Sequence, residues 1–185
     1  MEESLEKKEY IFDTRRNISF LCPKNLWFFR ASALISLGAV KIIDVVLKLA
    51  RIALTASIIK ELEEFAKYED EYGKASKEVL KYKNKFIIKK TEIKESIGYV
   101  QKTDNELYNL AKKQSSTLIT DDVKFSRHVD GKIDTQFSTF FLALLVSSKY
   151  LSKEKALELL EKLRNIRNWR NNIIYLITKN QIEQL

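Results

Sequence analysis

The chain has 185 residues, 45% of them apolar and 31% charged, with only four glycines and one proline. This is the size of one domain with a real core, and it excludes low-complexity, collagen-like and turn-dense all-β chains. The single cysteine, Cys22, and the single histidine, His128, exclude an internal disulfide framework, a cysteine zinc site and any multi-histidine metal centre. A metal held here must be a hard cation bound mainly by carboxylates, and the setting reads as reducing and cytoplasmic. Lys and Arg number 33 against 25 Asp and Glu, a net charge of +8 that favours polyanions, of which nucleic acid is the commonest. Richness in Lys, Glu and Ile with little Cys or Met leans towards a thermophile.

Taken in chain order, the stretch Met1 to Glu9 carries both signs of charge and lacks the apolar run of a signal peptide. Tyr10-Ile-Phe12 is a short β-prone run ending at Asp13, and residues 15–25, with Pro23, read as irregular. Residues 1–25 are thus set apart as an N-terminal extension or insertion. Leu26-Trp-Phe-Phe29 predicts a buried strand. Ser32 to Leu49 is apolar around most of a helix surface and predicts one helix packed on both sides. Arg51 to Leu54 predicts a strand, Thr55 or Ser57 a cap for a helix reaching about Tyr68, Glu71 to Lys83 a more solvated helix, and Phe86 to Ile88 a third strand.

In the second half, Thr103 followed by Glu106 reads as a capped helix start, with the helix running to about Lys113. Ser116 to Thr120 predicts a strand running into Asp121-Asp122. The uncharged stretches 31–40 and 135–148 are shorter than the roughly 18 residues needed to span a bilayer, so both read as buried helices and no membrane partner is expected. Ser152 caps the amphipathic 153–167, and a last helix covers about 172–184. Alternating strands and helices predict an α/β fold, a parallel sheet covered by helices, with residues 151–185 packed on the domain formed by 26–150.

Ligands of such a sheet gather at the carboxyl ends of its strands. Asp121 and Asp122 follow a strand, Asp104 opens a helix, and Glu61 lies in the helix after the second strand. Clustered carboxylates repel one another, and a divalent cation relieves the repulsion. Mg²⁺ or Mn²⁺ so held activates water and stabilises charge on a phosphodiester. On the same reasoning, Asp104→Asn is expected to leave the metal-free fold intact or slightly more stable.

The order of these acids resembles a PIN domain. Ala31-Ser-Ala-Leu-Ile-Ser-Leu-Gly38 is similar to the opening of that family, Ile58-Ile-Lys-Glu-Leu62 to its second motif, Thr103-Asp-Asn-Glu-Leu-Tyr-Asn-Leu-Ala111 to its third, and Leu118-Ile-Thr-Asp-Asp122 to its fourth. The resemblance implies a three-layer α/β/α sandwich and a Mg²⁺- or Mn²⁺-dependent ribonuclease, of the VapC toxin or RNA-processing kind. It implies Glu61, Asp104 and Asp122 as catalytic and metal-binding acids, Asp121 as an auxiliary ligand, and Ser32, Thr120 and Arg30 near the substrate. RNA, an antitoxin-like protein and a second copy of the chain are the partners it implies.

One departure from the family stands at its first acid, which should directly precede Ala31-Ser32. Arg30 is there instead, and an arginine cannot ligate Mg²⁺. Asp13, at the end of its own β-prone run, would supply the carboxylate if residues 15–29 were an insertion. Glu61 lies 31 residues after Arg30 and 48 after Asp13, and the shorter spacing suits the family better. The chain therefore reads either as a weakened PIN ribonuclease or as an inactive PIN-like module that binds RNA or a protein. Lys83, Lys85, Lys89 and Lys90, and Arg164, Arg167 and Arg170 around Trp169, are candidates for an RNA backbone with Trp169 for stacking. His128 reads as a surface or packing residue.

Overall fold

A computed structural model describes residues 26–98, 100–170 and 172–185. Asp13, Cys22, Pro23 and the β-prone run at residues 10–12 lie outside these. Five strands form one all-parallel sheet: β1 (Leu26–Phe29), β2 (Arg51–Thr55), β3 (Ile87–Lys89), β4 (Leu118–Ile119) and β5 (Thr135–Gln136), in the order β3-β2-β1-β4-β5. Among the described residues, nine α-helices accompany them: α1 (Ala31–Ala39), α2 (Ile43–Leu49), α3 (Ala56–Phe65), α4 (Glu71–Leu80), α5 (Lys102–Gln114), α6 (Val123–Val129), α7 (Phe140–Ser147), α8 (Lys153–Ile166) and α9 (Ile173–Glu183). This is the expected α/β sandwich with a parallel central sheet and a helical C-terminal part. No helix among the described residues is long and apolar enough to cross a membrane.

The sheet is built from near-continuous apolar runs because parallel strands are covered on both faces. In β1, Trp27 and Phe29 pack on Phe141 of α7, with ring centroids 5.5 and 5.7 Å apart, while Phe28 alternates to the opposite face. The chain leaves β1 for β2 and β3 in one direction, then returns past β1 to β4 and β5 in the other. Right-handed crossovers then put α1, α3 and α4 on one face and α5 and α6 on the other. The reversal of direction lies between β1 and β4, whose register pairs Phe29 with Ile119. That is the crevice where open α/β sheets bind ligands.

Several local readings differ from expectation for identifiable reasons. Instead of one helix over 32–49, the chain breaks at Val40 to Ile42. Lys41 takes a left-handed conformation (φ 57°), its N–H donates to the Gly38 carbonyl, and the Ile42 N–H donates to the Leu37 carbonyl. This is a Schellman stop, sealed by the burial of both Leu37 and Ile42. Gly38 itself is required: a Cβ there would lie 2.5 Å from the Ala75 carbonyl oxygen, so α1 and α4 approach closely only without one.

Residues 135–148 do not form one helix. The run begins as edge strand β5, and only Phe140–Ser147 is helical. Thr103 is not a cap either, since α5 starts at Lys102 with Gln101 at its N-cap. Thr55 and Ser152 do cap, accepting from the Ile58 and Lys155 amides. Ala156, Leu160, Leu163 and Ile174 of the C-terminal helices join the same apolar cluster as the sheet.

Two asparagines in the Thr103–Ala111 motif fix the loop that leads into α5. Asn109 accepts from the amides of Lys94 and Glu95, and Asn105 accepts from that of Ile97 and donates to the Val100 carbonyl. Both are buried. They satisfy loop backbone groups that would otherwise be desolvated, and so hold the N-terminus of α5, with Asp104, against the sheet edge.

Candidate functional site: a carboxylate cluster closed by Arg30

Arg30 follows β1 directly and its amide continues the ladder, donating to the Ile119 carbonyl at 3.0 Å. It is also the N-cap of α1, without a capping hydrogen bond from its side chain. A cation at a helix N-terminus faces the positive end of the helix dipole, an unfavourable position unless acids surround it. They do. Arg30 Nε lies 2.6 Å from Asp104 Oδ1 and its Nη2 donates to Asp104 Oδ2 at 2.8 Å, a bidentate pair. Its Nη1 donates to Asp122 Oδ2 at 2.9 Å and to Thr120 Oγ1 at 3.2 Å. The Phe125 ring covers the guanidinium, with Cζ 4.6 Å from the ring centroid. The Arg30 and Asp104 side chains are only 14% and 10% exposed, whereas that of Asp122 is 40% exposed.

Each partner arrives from a different element. Asp104 sits in the first turn of α5, where a carboxylate suits the helix dipole. Asp122 caps α6, its Oδ1 accepting from the Phe125 amide at 3.0 Å, and its own amide donates to Thr120 Oγ1 at 3.1 Å. Glu61, half-buried on α3, lies near enough to feel both Asp104 and Arg30. Burial lifts the Glu61 carboxyl above its ordinary range, and the Asp104 charge lifts it further against the pull of Arg30. Burial likewise lifts Asp104, opposed by Arg30. Burial works against ionised Asp122 too, but the Phe125 amide and Arg30 outweigh it and hold the group below its ordinary range.

Asp121 stands apart. It is fully buried, and both its oxygens are engaged by serines: Oδ1 accepts from the Ser138 amide at 2.8 Å, and Oδ2 accepts from Ser36 Oγ at 2.5 Å and Ser138 Oγ at 2.7 Å. Burial raises its pKa against those hydrogen bonds. Its amide donates to Ser32 Oγ at 3.4 Å, which ties Ser32 to the chain after β4. The expected set thus divides. Arg30, Asp104, Thr120 and Asp122 converge with Glu61 beside them, while Asp121 and Ser32 belong to a buried joint between α1, β4 and the loop before α7.

The donor chemistry does not fit a divalent cation as it stands. Both Asp104 oxygens and one from Asp122 accept from a guanidinium, and a metal ion among them would face that fixed positive charge. Among the described residues, no group of three or more His, Cys, Asp or Glu side chains is arranged to hold a metal. A groove of about 870 Å³ lies elsewhere, along β5, α6 and α9, and neither Arg30 nor the acids of the cluster line it.

The other candidates settle plainly. Trp169 is 5% exposed, with Arg167 over its ring, so it is a core residue and not a stacking platform. Lys83 pairs with Glu63 and Arg164 with Glu161 on the surface. His128 is exposed, with Nδ1 3.3 Å from the Lys124 carbonyl. Ser36, Ser138 and Phe125 were not anticipated. For Ser36 the available signal is its place, with Ser32, in the otherwise apolar 31–40 run, since a buried serine needs a partner. Compared with known proteins, the chain matches no family model and no curated sequence.

Proposed function

We propose that this chain is a catalytically inactive PIN-like module that binds RNA or a protein partner such as an antitoxin-like protein, in a cytoplasmic setting. The observation that carries the reading is the Arg30 guanidinium, which engages the acids that the family resemblance assigns to metal. A metal-dependent phosphodiesterase needs those oxygens free for a cation. Here a cation is already present that can neither be exchanged nor activate water. The net charge of +8 supports a polyanionic or acidic partner.

The test is cleavage of single-stranded RNA by the wild-type chain with Mn²⁺, beside Arg30→Asp and Asp13→Asn. No cleavage by wild type, with saturable RNA binding or partner capture, is the expected outcome. Robust Mn²⁺-dependent cleavage by wild type that Asp13→Asn abolishes would instead make the protein a PIN ribonuclease with Asp13 as its first acid.

A further inference from the structure

We infer that the outward edge of β5 is the docking site of the chain's own N-terminal run, Tyr10-Ile-Phe-Asp13, which pairs with it as an antiparallel sixth strand. The inference is independent of the Arg30 cluster and goes beyond the inactive-module reading.

β5 ends the sheet, with no strand beyond it among the described residues. Its ladder to β4 runs through the carbonyls of Asp134 and Gln136, which accept from the Leu118 and Thr120 amides at 2.9 Å. Main-chain groups alternate along a strand, so the Thr135 N–H and C=O face outward, a template for a further strand. They border the groove of about 870 Å³, which Thr135, Gln136 and Phe137 line. The Thr135 and Ser126 hydroxyls, 2.8 Å apart, hold this edge to α6. Two walls of the groove are apolar, Val123 on α6 and Ile173 and Ile177 on α9, and Ile173 is 43% exposed. A strand laid between them sends alternate side chains to the two walls. The N-terminal run has the matching pattern, with Ile11 alternating with Tyr10 and Phe12.

Connection and charge select this occupant. The parallel strands β1 and β5 both start at the amino edge of the sheet, and only β4 stands between them. Two strand spacings are about 10 Å, and residues 14–25 reach up to about 40 Å. An antiparallel run leaves the groove at that same edge, where Leu26 begins β1. Residues 1–13 carry five acids against two lysines, and the groove rim carries Lys112, Arg127 and Lys132 against Asp130 and Asp134. Because the run is tethered, its effective concentration is high and a few contacts hold it. The opposite edge, β3, is flanked by Lys85, Lys89 and Lys90, the charged guard that keeps a strand edge unpaired.

The experiment is amide hydrogen exchange of the full chain, followed residue by residue by NMR. The Thr135 amide, which the ladder to β4 does not use, should exchange about 100-fold or more slowly than in an unstructured peptide. Ile11→Pro combined with Phe12→Pro removes the donor that faces β5 in either register. That variant should return Thr135 to fast exchange while the Leu118 amide stays protected. Thr135→Pro deletes the outward N–H without touching the ladder to β4, and should speed exchange among the amides of residues 10–13 in turn. Fast exchange at Thr135 in the wild-type chain overturns the inference, as does slow exchange that survives the double proline variant. Protection of Thr135 that grows with protein concentration assigns the edge to a second copy and overturns it too.

Discussion

Asp121 and Asp122 are adjacent in the chain, yet the fold treats their charges differently. Asp122 shares a cation with Asp104, caps a helix and remains partly open to water. Asp121 is sealed in the core and is met only by neutral donors, the Ser36 and Ser138 hydroxyls and the Ser138 amide. The first arrangement is electrostatic, so losing one member exposes the charge of another. The second is made of hydrogen bonds among groups buried together, so its loss is local. Alternation along the extended chain after β4 sends consecutive side chains to opposite sides, one into the crevice beside β1 and one beneath α1. The pair teaches that an acid at a strand's carboxyl end is a candidate ligand only when its oxygens face the crevice.

The widest test of this difference is Asp104→Ala. It leaves the Arg30 guanidinium buried without its bidentate partner and should cost about 3 kcal/mol in a urea unfolding midpoint series, as breaking a buried ion pair does. Asp104→Asn should also destabilise, the reverse of the sequence-based expectation, because Arg30 already compensates the repulsion that the substitution would relieve. An unchanged midpoint for both variants would mean that Arg30 is satisfied elsewhere.

Asp121→Asn should cost about 1–2 kcal/mol, because an amide keeps one acceptor but leaves a serine donor unmatched. Ionic strength should modulate the Asp104 effect and leave the Asp121 effect alone, since only the former breaks an ion pair. Equal salt sensitivity would erase the distinction between the two sites. Phe125→Leu keeps apolar cover over Arg30 and removes the ring's charge distribution, so a loss of about 0.5–1 kcal/mol is expected.

The smallest effect is the pH dependence of Glu61. Its pKa in the fold is raised, so the protonated group favours folding at low pH and that contribution is lost as pH rises through the raised value. Asp122 has the opposite sign: its pKa is lowered, and the stability its ionised form provides is lost as pH falls through that lowered value. Glu61→Gln should therefore raise the Tm by about 1–2 °C at neutral pH and change it little near pH 4, close to the ordinary carboxyl value. A shift of the same size at both pH values would show that Glu61 acts through packing.

The sequence by itself determined the parallel α/β class, because apolar runs at Leu26–Phe29 and Arg51–Leu54, separated by helical periodicity and marked by the Thr55 and Ser152 caps, are local signals. It also made Glu61, Asp104 and Asp122 candidates, since each stands at a position that the strand-and-helix alternation directs to one sheet edge. Short elements eluded it. β5 is two residues long and is strand only because β4 lies beside it, and the stop at Lys41 depends on Leu37 and Ile42 being buried together. The sequence offered Asp104 or Asp122 as the partner of Arg30; the tertiary structure decided that Arg30 reaches both, Asp104 lying 74 residues along the chain, and that Asp121 turns inward to Ser138. Those pairings join groups from separate elements, and they become favourable only once burial removes water as the competing partner for each charge and hydroxyl.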